Sequence, residues 1–94
     1  MTELIFITGG SIRKVFIDKK VITFLTAELN YAPMTIDLNK LDSPEMQEKI
    51  KNMKMKEEDV KLIKELASLN DEKEIIKDIK KDFQSKGWRL VKQK

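Results

Sequence analysis

The sequence changes its hydrophobic period once, at Ser43-Pro44, and that switch limits the folds open to the chain. Before it, short apolar runs rich in β-branched residues alternate with glycine or charged breaks, the pattern of strands. After it, apolar residues recur at three- and four-residue spacing, the pattern of amphipathic helices. Strands gathered first and helices second point to an α+β fold.

Leu4-Ile5-Phe6-Ile7 ends at Thr8-Gly9-Gly10-Ser11, where glycine tolerates the positive φ of a tight hairpin turn. Ile12 to Ile17 is the second strand, Asp18-Lys19-Lys20 a polar break, and Val21 to Thr26 the third, so a β-meander is expected. Ala27 to Pro33 reads as a less regular connection, and Met34 to Leu38 as a fourth strand with one wet face. Both faces of the meander are apolar. Leu4 and Phe6 oppose Ile5 and Ile7, and Ile22 and Phe24 oppose Val21 and Leu25, so a second surface, such as a partner subunit, is expected over part of the other face.

Ser43 is a favoured N-cap and Pro44 suits the first helical position. Met46, Ile50 and Met53 make a narrow stripe, and Met55 falls opposite it, which predicts a break near Lys54 to Lys56; the alternative is one long helix. After a break, Met55 would staple to Val60 while Glu57, Glu58 and Asp59 fill the first turn. Val60, Leu62, Ile63, Leu66, Ala67 and Leu69 cover about half of the second helix, which is expected to be the most buried. Asp71 and Glu74 have the spacing of a capping box, Ile75, Ile76, Ile79 and Phe83 form the buried face of a third helix, and Gly87 suits its C′ position. Trp88 to Val91 would follow as a short terminal strand or extended tail, with Trp88 anchoring the helix to the sheet. The expected architecture is a three- to four-stranded, mostly antiparallel β-meander and three α-helices packed on one face, with an added strand at 88–91, all in one domain spanning residues 1–94.

The chain has neither Cys nor His. Disulfides, thiolate zinc sites, cysteine nucleophiles and imidazole bases therefore have no residues to form them. No apolar run approaches the roughly 20 residues that cross a bilayer, and Met1-Thr2-Glu3 has no basic leader, so a cytoplasmic protein without membrane contact or cofactor is expected.

Charge is distributed unevenly. Residues 1–42 balance five basic against five acidic side chains, whereas residues 73–94 hold eight basic against three acidic. Lys73, Lys77, Lys80 and Lys81 fall within about 100° on the third helix, opposite its apolar face. With Arg89 and Lys92 they are the candidate contacts to a nucleic-acid backbone, because Lys serves a phosphate as a point charge. Glu74, Asp78 and Asp82 beside them favour the plainer reading of a solvated helix face.

Two further constellations are weaker. Ile7 to Ser11 lacks the third small residue and the helix of a dinucleotide-binding turn, and reads as a hairpin; a small anion nest of Gly9 and Gly10 with Arg13 and Lys14 is the surviving variant. Asp18-Lys19-Lys20 matches the D-x-K fragment of Mg²⁺-dependent phosphodiesterases, which need a further carboxylate from Glu3, Glu28 or Asp37. A polar turn explains the same residues more simply. Met34, Met46, Met53 and Met55 fit either a core or an adaptable partner surface. The expected function is a small non-catalytic interaction or regulatory module, a homodimer that acts on a protein partner; a nucleic-acid-associated protein is the alternative, and a Mg²⁺-dependent phosphodiesterase a remote third.

Overall fold

A two-residue turn at Gly9-Gly10 sets the register from which the rest of the sheet follows. A computed structural model of the chain describes residues 1–26, 33–52 and 55–94. Strands β1 (Thr2–Thr8) and β2 (Ser11–Asp18) pair antiparallel with Thr8 opposite Ser11 and Leu4 opposite Val15. Both glycines take positive φ, 49° and 91°, as a type I′ hairpin turn requires. Lys19-Lys20 turns the chain into β3 (Val21–Thr26), which pairs with β2 on one side and with β4 (Met34–Asp37) on the other. The expected connection at Ala27 to Pro33 lies outside the described residues except for Pro33 itself. Leu38 is not strand: it opens a 3₁₀ turn to Lys40, because the Asp37 carboxylate accepts the Asn39 N–H at 3.0 Å and bends the chain. The last strand, β5 (Arg89–Gln93), returns to pair antiparallel with β1, giving the order β4-β3-β2-β1-β5.

Three helices connect β4 to β5: α1 (Pro44–Asn52), α2 (Glu57–Ala67) and α3 (Glu72–Ser85). Ser43 caps α1, its hydroxyl accepting the Met46 N–H at 3.2 Å. Met53 and Lys54 lie outside the described residues, but Met55 and Lys56 are non-helical, so α1 and α2 are separate helices. Met55 and Val60 stand at the N′ and N4 positions of the staple, both half-buried. The Asp71 carboxylate caps α3 through the Lys73 N–H at 3.0 Å, one position short of the capping-box bond. The end of α3 is a complete Schellman motif. Trp88 N–H donates to Phe83 O at 2.9 Å and Gly87 N–H to Gln84 O at 3.1 Å, with Gly87 at φ 92°.

The core lies between one face of the sheet and the helices. Leu4, Phe6, Val15, Ile17, Ile22 and Ile36 alternate along four strands and are at most 1% exposed. Against them pack Leu62, Ile63 and Leu66 of α2 and Ile75, Ile79 and Phe83 of α3, with the Phe6 and Phe83 rings 4.5 Å apart. The expectation that α2 is the most buried helix is met only in part: α2 and α3 each bury three side chains, α2 in eleven residues and α3 in fourteen. Helix α1 buries none fully and touches the core through half-buried Met46.

Candidate interaction surfaces

Side chains alternate across a strand, so the register that buries Leu4 and Phe6 turns Ile5 and Ile7 to the opposite, outer face. Four cross-strand rows can be followed there. Ile7 stands between Ile12 and Arg89, and Ile5 between Lys14 and Lys92, with Leu25 beyond Lys14; Phe16 stands between Glu3 and Thr23. Thr23 and Thr35 share a hydroxyl hydrogen bond of 3.1 Å, and Asp18, Val21 and Asp37 form the last row beside the β2–β3 turn. None of the outer apolar residues belongs to the core cluster, and no described helix lies over them. Ile12 is 40% exposed, and Ile5, Ile7, Phe16, Val21 and Leu25 are half-buried by their neighbours in the sheet. Cations collect toward the β1–β2 end of this face as Arg89, Lys92 and Lys14, and carboxylates toward the β2–β3 end as Asp18, Asp37 and Glu3, the last 4.0 Å from the Lys94 ammonium.

The structure divides the expected nucleic-acid contacts between two surfaces. Lys73, Lys77 and Lys81 are exposed on the side of α3 turned away from its buried stripe, and Lys80 is half-buried at the margin; none of the four is in an ion pair among the described residues. Arg89 and Lys92 are register partners of Ile7 and Ile5, and so project from the other side of the sheet. The nest is divided in the same way, since neighbours in a strand point to opposite faces. Arg13, opposite Phe6, turns toward the helices and lies 4.8 Å over the Trp88 ring, while Lys14 faces outward; Gly9 and Gly10 instead share a shallow depression with Gly87 and Arg89. In the D-x-K fragment, Lys20 leaves Asp18: its ammonium donates to Ala67 O at 2.9 Å and caps the C-terminal end of α2. Glu28 lies outside the described residues, Glu3 faces Lys94, and Asp37 caps the 3₁₀ turn. Among the described residues no three acidic side chains gather as metal ligands, and no helix is long and apolar enough to cross a membrane.

A second recess, of about 480 Å³, opens on the helical side between the ends of β2 and β3, the start of α2 and the end of α3. Phe24, Met34, Met55, Phe83 and Trp88 wall it, Arg13, Lys56, Asp59 and Lys86 stand around it, and Lys14 and Leu25 of the outer row reach its edge. Lys86 bridges the helices there, 3.2 Å from Asp59 of α2 and 2.9 Å from Asp82 of α3. Burial works against its ammonium, but the Asp82 and Asp59 carboxylates beside it outweigh that and hold its pKa above the ordinary lysine value. Sequence reasoning missed this recess. The available signal was the hairpin register, which sets Arg13 on the face of Phe6, together with the glycine cap that folds Trp88 back onto Phe83.

No protein family, curated protein or solved structure matches this chain.

Proposed function

We propose that the chain is a non-catalytic interaction module whose working surface is the outer face of the sheet, and that a second copy of the chain packs there. The observation that carries this reading is the apolar group of Ile5, Ile7, Ile12, Phe16, Val21 and Leu25, which no described helix covers. A second copy is favoured by the charge layout. Turned end for end, it sets the basic end of one face over the acidic end of the other, whereas a copy not so turned opposes like charges. Strands of six to eight residues give a face roughly 20 Å on each side at ordinary strand rise and spacing, about 400 Å² in projection. That is about half of the 800 Å² each partner buries in a standard stable complex, so the dimer is one that dissociates on dilution. Sedimentation from micromolar to millimolar concentration tests it: mass rising toward twice 11.0 kDa is expected, and a monomer throughout overturns the reading. A heterologous protein partner, if there is one, would then compete for the same face.

The lysine row of α3, without an ion pair among the described residues, favours one second reading, electrostatic binding of a nucleic-acid backbone by Lys73, Lys77, Lys80 and Lys81 without Arg89 and Lys92.

A further inference from the structure

We infer that the recess on the helical side is a binding site for a small amphipathic carboxylate, an apolar chain ending in one anionic group. Its 480 Å³ lies within the usual range of small-molecule pockets, about 300 to 1,000 Å³. The walls are apolar and adaptable. Phe24, Phe83 and Trp88 offer flat aromatic surface, and Met34 and Met55 offer thioether side chains that repack around different chain shapes.

The charge around the opening selects the sign of the ligand. Asp59 is the one acidic side chain lining the recess among the described residues, and it is already paired with Lys86 at 3.2 Å. Arg13 and Lys56 make no ion pair with a described residue, so two cations are left there without a described counter-charge. Arg13 is also held in place. Its guanidinium rests 4.8 Å over Trp88, whose position follows from the backbone bond to Phe83. A planar fork presented at the mouth of an apolar recess suits a carboxylate, which accepts two N–H groups side by side. A cationic or uncharged amphiphile would find the same walls and no complementary charge at the mouth. The site lies on the helical side of the sheet, meets the proposed dimer face only at Lys14 and Leu25 on its edge, and does not depend on that reading.

Trp88 is the only tryptophan in the chain, so its fluorescence reports on the recess directly. Decanoate is the probe, with decylammonium and decan-1-ol as charge controls, all below their aggregation limits. A saturable change in Trp88 emission with decanoate is expected, at least tenfold weaker with either control. Lys56 has no capping bond to lose, so a severalfold weakening in Lys56→Gln reflects charge rather than misfolding. Amide NMR shifts should cluster at Arg13, Phe24, Met34, Met55 and Trp88, and should persist in Phe16→Glu. No saturable response, an equal response to decylammonium, or shifts centred on Ile5 and Phe16 would each overturn the assignment.

Discussion

Gly87 sits at φ 92°, yet a methyl group added there would meet no atom within 4 Å. The cost of Gly87→Ala is therefore conformational rather than steric, about 1 kcal/mol for forcing an L-residue into the left-handed region. Denaturant unfolding should show that loss with an unchanged m-value. Lys19 presents the converse case, a lysine at φ 56° in the β2–β3 turn. Lys19→Gly relieves the same kind of strain and should raise stability by about 0.5 to 1 kcal/mol, less whatever the freer unfolded chain takes back. A fall in midpoint would show that the lysine has a compensating role. These two positions also mark what a sequence reveals at this scale. Gly87 and Gly9-Gly10 announce their backbone because few other residues adopt it, whereas Lys19 carries no such mark. Lys20 was equally silent: its bond to Ala67 O joins residues 47 positions apart, which local pattern cannot see.

Elements were more legible than contacts between them. The strands, the helix starts at Ser43 and Asp71, and the separation of α1 from α2 follow from period and capping, which are local. The grouping of Arg89 and Lys92 with the α3 lysines did not survive, because β5 pairs with β1 in a register that turns them to the far side of the sheet. This separation makes the nucleic-acid reading testable at the level of one helix. If α3 alone meets a phosphate backbone, Lys77→Glu with Lys81→Glu should flatten the logarithmic salt dependence by about two, at about 0.9 per contact, while Arg89→Glu should leave it unchanged. No binding at low salt would remove the reading. The bridge from α3 to α2 through Lys86 gives a prediction in pH. A lysine pKa raised on folding stabilises fully below the unfolded value of about 10.4 and loses that contribution as pH climbs through the folded value. Lys86→Met should thus cost about 1 kcal/mol or less from neutral pH to pH 9, its side chain being 30% exposed, and the difference from the native chain should shrink above pH 10.5. Thermal unfolding of both proteins across that range measures it.

At the scale of the whole molecule, two layers share one core, and among the described residues no helix lies over the other face of the sheet. The missing polar alternation in β1 and β3 foretold an apolar outer face; it did not tell what covers it, since the covering surface need not belong to the same chain. Two substitutions separate the layers by what they do. Ile79 is fully buried against both sheet and helices, so Ile79→Ala should cost about 2 to 5 kcal/mol, a large part of the 5 to 15 kcal/mol that holds a typical domain together. Because strands and helices meet in that one core, circular dichroism and Trp88 fluorescence should report the loss as one cooperative transition. Phe16 is half-buried on the outer face and supports no helix, so Phe16→Glu should leave the unfolding midpoint within the range of ordinary surface changes, about 0.5 kcal/mol either way. The same substitution puts a charge in the middle of the apolar group and should keep the chain monomeric at concentrations where the native sequence associates. If Phe16→Glu instead unfolds the chain, the outer face is part of the fold; if it leaves association intact, the contact lies elsewhere. Unchanged stability with lost association is the one combination that makes this face a surface kept for a partner.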